Sequence, residues 1–461
     1  MSTAPRCRRA HRAVPLAVAA LATVLVAASC GTRVPHDAAS STSEGNGPGT
    51  TATTSLNPAS DVGVSSDQVT VGLIVSKTSP LGPETFAPPS YGAQAYFTAL
   101  DAAGGVGGRK VKVVVCDDGS SGAGNLTCVH QLIDDDKVFA FAGNSIFDYA
   151  GAQTVSQAAV PDVGGQPIGS AYDQYQHLFS IYGSSAPRNG TVGWDGTLYG
   201  GTEVQRWFKD ELGARTAAVV SYNQADSLRF ADLTTKALEL EGYSVVREQV
   251  DFGVPNMDAA VIDMRSKGVD IVFDAIDDAG NVNLCKSMDA NGFQVKAKVT
   301  SVQSWGQSVA TAYASSPTCR RSLYATATDL NYADTSVDEV ARFRADMHAA
   351  FPDRDPLLSM WELEGWASAQ WLTDAMDSCG AQLTRACVET FMNRAEPYDG
   401  HGLLTPRDFT VSDDPAAPDH NCLSVAQWSD DAEGGTGGWE SRTPVGGFTC
   451  VDVANVPYKA G

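Results

Sequence analysis

The feature that most constrains this chain is a repeated alternation of short, β-branched apolar runs with longer amphipathic ones. Residues 69–75, 110–116, 138–142 and 160–163 read as strands, and 91–103, 126–135 and 149–158 read as the helices between them. Gly104-Gly105 closes the first helix. The period then recurs, with helices predicted over 202–212, 228–241, 259–267 and 281–291 and strands over 216–221, 244–250, 270–273 and 297–301. A strand joined to the next through one helix must run parallel to it, with a right-handed crossover. The order therefore predicts an α/β fold of two doubly wound parallel-sheet lobes, helices on both faces. The pattern breaks at Gly183-Ser184-Ser185-Ala186-Pro187 and again after residue 324. Helices over 337–351 and 360–376 and an irregular tail follow, read as returning to complete the lobes. The expected division is 67–185 plus 325–395 for lobe 1 and 186–324 plus 396–461 for lobe 2.

The N-terminus reads as an address rather than as fold. Arg6, Arg8, Arg9 and Arg12 precede an apolar stretch over 14–28, short for a bilayer span and suited to a signal peptide. It ends in Ala27-Ala28-Ser29-Cys30, which resembles the lipobox in which the cysteine becomes the lipid-bearing first residue. Ala27 stands where Leu is usual, so plain export with cleavage nearby is the alternative. The expectations are a signal peptide over 1–29, a lipid anchor at Cys30, and a Ser-, Thr-, Gly- and Pro-rich flexible leash over 30–66.

Composition narrows the function. Acids outnumber bases by 54 to 32, for a net charge of −22, and such a surface repels phosphate backbones. Nucleic acid is therefore excluded as a partner. Apart from Cys7 and Cys30, the cysteines fall in near pairs: Cys116 and Cys128, Cys285 and Cys319, Cys379 and Cys387, Cys422 and Cys450. Four local disulfides in an oxidising compartment are expected, although sequence alone does not fix connectivity. No CxxC occurs and the 7 histidines are scattered, so no metal or cofactor is expected. Gly104-Gly105-Val106-Gly107-Gly108 follows a helix and precedes a strand, the reverse of a dinucleotide loop. Asp117-Asp118 and Asp134-Asp135-Asp136 read as solvated element ends. The chain is read as a binder and not an enzyme; a secreted hydrolase would rest only on the abundance of carboxylates.

Several stretches carry a resemblance. Ala102 to Val111 (AAGGVGGRKV), with Asp117-Asp118 after the next strand, is the most specific. Ala142-Gly143-Asn144-Ser145, Val160-Pro161, and Tyr398-Asp399-Gly400-His401-Gly402 followed by Phe409 agree with it. Together, over roughly residues 68–452, the chain resembles the Leu/Ile/Val-binding (branched-chain amino acid) branch of the type I periplasmic substrate-binding proteins of ABC importers. The resemblance implies the type I periplasmic-binding-protein fold, two doubly wound parallel-sheet lobes with a ligand cleft between them, joined by three chain crossings and closing on a small-molecule ligand that an ABC permease then receives. It also implies a monomer at the outer face of the cytoplasmic membrane or in the periplasm, anchored through Cys30 in bacteria with one membrane. A ligand-sensing surface protein that signals through a partner is the alternative use of such a fold.

On this topology the loops after the strands should line the cleft. The candidate ligand-binding residues are Ser79, Asn144, Ser145, Phe147 and Gln166 from lobe 1, and Tyr222, Asp226, Asp277, Gln303 and Trp305 from lobe 2. Hydroxyls and amides would hydrogen-bond the ligand, with Phe147 or Trp305 packing on its apolar portion. The amino-acid-binding members hold a carboxylate with lobe 1 hydroxyls and an ammonium with an acid and tyrosines, and this chain departs from that pattern. Gly164-Gly165-Gln166-Pro167-Ile168 lacks the usual threonine, Asp226-Ser227 replaces Tyr-Gly, Asp277 replaces a tyrosine, and Gln303-Ser304 stand near the usual acid. Asp277 and Asp278 would favour a positively charged or donor-rich ligand if they face the cleft; if solvated, an amide or a carboxylate fits equally.

Overall fold

A computed structural model describes residues 57–459, apart from Pro80, Leu81, Pro83, Pro167 and Ser301. The expected signal peptide, Cys30 and most of the leash lie outside the described residues. The leash reading fails from residue 57 onward. Ser60 Oγ donates to the carbonyl of Leu383 at 2.5 Å, Arg109 Nη2 donates to the carbonyl of Pro58 at 3.1 Å, and Val64 is buried. A segment read as polar linker is thus held by backbone acceptors that composition does not reveal.

The first sheet contains β1 (Gln68–Val75), β2 (Lys110–Asp117), β3 (Ala140–Ser145), β4 (Asp162–Gln166) and β5 (Leu178–Ser180), in the order β2-β1-β3-β4-β5, all parallel. The crossovers are α1 (Pro88–Ala103), α2 (Gly122–His130) and α3 (Ala152–Gln157). After a ribbon strand, β6 (Thr197–Gly200), come α4 (Glu203–Leu212), β7 (Thr216–Tyr222), α5 (Ala225–Leu240), β8 (Ser244–Val250), α6 (Met257–Ser266), β9 (Ile271–Ala275), α7 (Asp278–Ala290), β10 (Ala297–Thr300), the short α8 (Val309–Ala312) and α9 (Pro317–Arg320), and β11 (Leu323–Ala327). The parallel part of the second sheet reads β11-β10-β9-β7-β8, so each sheet has the same winding, with a switch point between β1 and β3 in one and β7 and β9 in the other. The two doubly wound lobes expected from the sequence are present.

The rest of the chain departs from the expected division. Helices α10 (Asp338–Ala350), α11 (Met360–Ser378) and α12 (Arg385–Met392) belong with the first sheet. Nearly every side chain of α11 is buried, including Trp366 and Trp371, as a helix enclosed on all sides requires. It crosses α1 so closely that a Cβ on Gly365 would lie 1.9 Å from the carbonyl oxygen of Pro89. Residues 325–327, assigned to lobe 1 from the sequence, continue β11 in the second sheet. Residues 398–409, assigned to lobe 2, pack on lobe 1: Tyr398 stacks on Trp371 at 4.5 Å and Phe409 meets Phe179 at 5.0 Å. The tail is regular, adding β12 (Asp419–Ser429), β13 (Gly438–Ser441) and β14 (Thr449–Val453) antiparallel to the second sheet, while β15 (Val456–Lys459) pairs with β6.

The AAGGVGGRKV stretch has a structural account. Gly105 turns the chain at φ +77°, and a Cβ there would meet the Arg109 carbonyl oxygen at 1.9 Å. The turn buries Arg109, which donates to the carbonyls of Ser65, Pro58 and Ala381. All four local cysteine pairs form disulfides, with Cα–Cα distances from 4.0 Å (Cys422–Cys450) to 5.9 Å (Cys379–Cys387). No helix among the described residues is long and apolar enough to cross a membrane.

Candidate ligand-binding site

Three strands of connection join the lobes, and one side chain ties them together. Arg407 is buried and donates to the carbonyl of Ile181 on the first crossing. It donates to the carbonyl of Thr328 at 2.6 Å and to Asp329 Oδ1 at 3.1 Å on the second, and to Thr405 on its own segment. Asp329 is fully buried and hydrogen-bonded to Glu364 of α11. Burial, then the charge of Asp329, pushes the Glu364 carboxyl well above the usual carboxylate range. The upward shift favours the protonated form of Glu364 beside Asp329, whose charge Arg407 balances. The same carboxyl reaches the cleft floor, where Gln166 Nε2 lies 3.0 Å and the Tyr182 hydroxyl 2.9 Å from its oxygens.

Above that floor a cavity of about 580 Å³ opens between the carboxyl ends of the two sheets. Open α/β sheets leave their strand ends and helix N-termini free at the switch point, and here two such edges face one another. Phe86, Phe147 and Trp361 make an aromatic wall on the lobe 1 side, with centroids 5.5 Å (Phe86–Phe147) and 6.3 Å (Phe86–Trp361) apart. Among the described residues, two side-chain hydrogen bonds already span the opening. Gln303 Nε2 donates to the carbonyl of Thr85 at 2.9 Å, and Arg229 Nη2 donates to the carbonyl of Ile168 at 2.7 Å.

The lobe 2 edge is acidic. Asp277 caps α7, its Oδ1 accepting from the Gly280 N–H at 2.9 Å and the Tyr222 hydroxyl at 2.6 Å. Its Oδ2 has no partner among the described residues. Burial and the neighbouring Asp277 raise the Tyr222 hydroxyl well above its ordinary value, so it stays a donor. Asp274 is neutralised by the fully buried Lys298, which also bonds Asn281. Asp278 is bonded by the Ser304 hydroxyl, and burial pushes its carboxyl up to about 7. Asp226 lies 3.7 Å from Arg229, whose guanidinium is engaged across the cleft. Among the described residues Arg229 is the cation lining the cavity, outnumbered there by Asp226, Asp274 and Asp277, and Asp277 presents a carboxylate oxygen without a partner.

Of the residues predicted to touch ligand, Phe147, Gln166, Tyr222, Asp226, Asp277 and Gln303 line this cavity. Four do not. Asn144 is fully enclosed in lobe 1, where its Oδ1 accepts from the Ile74 N–H at 2.7 Å and its Nδ2 donates to Asp162 at 3.0 Å. It splices β1 to β3 where their register shifts, a role that alternation along a strand does not show. Ser145 lies beside it with no exposure. Ser79 stands outside the cavity wall. Trp305 turns away from the cleft into a cluster with Trp439, 5.9 Å between centroids, because β12 and β13 leave an apolar face that needs covering. Missed from the sequence were Phe86, Trp361, Tyr182 and Arg229. Phe86 and Trp361 sit far apart in sequence beside helix starts, and only the α1–α11 crossing brings them together.

The comparisons with known proteins agree with this architecture. A family model described as periplasmic binding protein matches residues 68–435. A curated "amino acid binding protein" of Pseudomonas aeruginosa is 25% identical over 206 residues, 42% of this chain and 51% of that protein. The chain thus spans about half the length of the curated relative it matches. Among solved structures, a fatty acid ABC transporter substrate-binding protein from Thermomonospora curvata superposes with a TM-score of 0.62 at 16% identity, covering 86% of this chain and 94% of that one. A solute-binding protein from R. palustris in complex with benzoate gives 0.61 at 15% identity (84% and 98%), and a branched-chain amino acid transporter substrate-binding protein from Streptococcus pneumoniae with isoleucine gives 0.60 at 14% (81% and 100%). At these identities the likeness shows the fold. With four-fifths of its length inside the family model, the chain belongs to the periplasmic binding protein family.

Proposed function

We propose that this chain is the extracytoplasmic solute-binding component of an ABC importer, capturing one small molecule between its lobes and passing it unchanged to a permease. The observation that carries the reading is the cavity itself: two sheet edges of the same winding face each other across it, and bonds from each lobe already meet over it. A ligand touching both edges favours the closed arrangement by its differential affinity, so loading is a population shift and needs no chemistry. The free oxygen of Asp277, beside the Tyr222 hydroxyl, favours a solute with a donor-rich or cationic group, such as an amino acid, amide or amine. The aromatic wall would pack on its apolar part. Lipid attachment at Cys30, monomeric action at the membrane's outer face and hand-over to a permease belong to this proposal. Native mass spectrometry of the purified mature chain tests it: a single co-purifying small molecule, released intact and in stoichiometric amount, supports capture. Release of a converted product would support catalysis and refute it.

A further inference from the structure

The cavity does not end at the cleft. It passes the carboxyl edge of the second sheet and enters lobe 2 between that sheet and helices α4 and α5. There its apolar walls are Val204 of α4, Leu233 of α5, Phe273 of β9, Val299 of β10 and Leu423 of β12, with Phe230 of α5 at an exposed rim and Glu203 and Gln205 of α4 also in the lining. At the mouth of this slot Thr300 is 4% exposed, and its hydroxyl has no hydrogen-bond partner among the described residues. Asp277 stands nearby on the same carboxyl edge, with one oxygen free. Apolar wall left facing water is costly, and a hydrocarbon occupant would remove it from water. A branched-chain amino acid would leave much of the slot empty. Cavities of roughly 300–1000 Å³ enclose drug-sized molecules, and this one, at about 580 Å³, lies in that range.

We propose that the slot is a subsite for a hydrocarbon chain, and that the solute is amphipathic: a donor-bearing, cationic or neutral head at Asp277 and Thr300, with an aliphatic chain running into lobe 2. The head follows from charge. Asp226, Asp274 and Asp277 line the cleft, while Arg229 is held by the carbonyl of Ile168 and Lys298 by Asp274. A free carboxylate head would meet three carboxylates and one guanidinium, Arg229, already shared between the Ile168 carbonyl and Asp226. The proposal rests on the reading of the cleft as a solute site and names the kind of solute.

The test is calorimetric titration of the full mature chain, stripped of bound solute, with straight-chain primary amines of four to ten carbons and the matching carboxylates. The amines are expected to tighten by about fourfold per added methylene until the slot is full. Leu233→Trp, and separately Val204→Phe, should abolish that gain, so that octylamine binds no more tightly than butylamine; thermal melting confirms that at least one variant is folded. Short amines or isoleucine binding with no chain-length gain would overturn the subsite and leave the cleft reading standing. A gain confined to the carboxylates would overturn the head assignment. No binding by either series, with no co-purified solute, would overturn both readings.

Discussion

Replacing Arg407 by Met separates what the hinge owes to charge from what it owes to shape. In the native chain the guanidinium serves carbonyls on all three crossings and balances the fully buried Asp329. Met fills similar volume and offers no donor. The carbonyls of Ile181, Thr328 and Thr405 lose their bonds, each worth about 1 kcal/mol net, and Asp329 is left as an uncompensated buried charge. Removing one partner of a buried pair costs about 3–5 kcal/mol. The site softens that cost, because Asp329 can take a proton. Its folded-state carboxyl is already raised by burial, with Arg407 holding it down. Without Arg407 it rises further. A carboxyl whose folded value exceeds its unfolded one stabilises most in acid and loses that stability as pH rises through the folded value. Urea unfolding of Arg407→Met should therefore show a deficit of about 3 kcal/mol near pH 4, from the lost carbonyl bonds, that grows by about another 3 kcal/mol toward pH 8 as Asp329 is forced to ionise. Adding Asp329→Asn should recover about half of it and flatten the pH dependence. A deficit that does not change with pH, or a double variant no more stable than the single one, would refute the view that Arg407 chiefly compensates a buried carboxylate.

Other outcomes follow from the same structure. Asp162 is fully buried against the hydroxyls of Tyr149 and Tyr172 and the amide of Asn144, and burial pushes its carboxyl up to about 6. Its contribution is greatest below about pH 4 and is lost as pH rises through about 6, on the order of 3 kcal/mol in all; thermal melts of Asp162→Asn from pH 4 to 8 should show that slope removed. Asp277→Asn keeps an equally good cap for α7, so melting should move little, while calorimetry should show affinity for a cationic solute falling at least tenfold. Gly365→Ala should cost more than about 3 kcal/mol in urea unfolding, because the new methyl would lie 1.9 Å from the Pro89 carbonyl and α1 would have to move.

Much of this architecture was legible in the residues. Parallel strands buried on both faces, such as β1 and β7, announce themselves as continuous β-branched runs, and the disulfides join neighbours in sequence. The antiparallel tail was not legible. β12 mixes Asp, His and Asn with its apolar residues, because its first half pairs with β14 near the surface and only the second half is enclosed. β5 is three residues long and gives no period. In the cleft, residues at or just past the carboxyl ends of strands β7 and β9 were legible, since topology alone aims them inward: Tyr222 and Asp277 are the cases. Asn144 looked equivalent and is not, because a register shift turned its amide into the sheet. Arg407, Glu364 and Phe86 act through partners 78 to 226 residues away or through helix crossings, and no local pattern marks them.

The most direct measurement of the central claim is the distance between the lobes with and without solute. Spin labels on two exposed helix positions, Thr98 on α1 and Leu240 on α5, report it by pulsed electron resonance. The account predicts a broad or longer distance distribution in the stripped chain that collapses to a single shorter one when the solute identified by mass spectrometry is added back. One unchanged distribution across a saturating titration would contradict it.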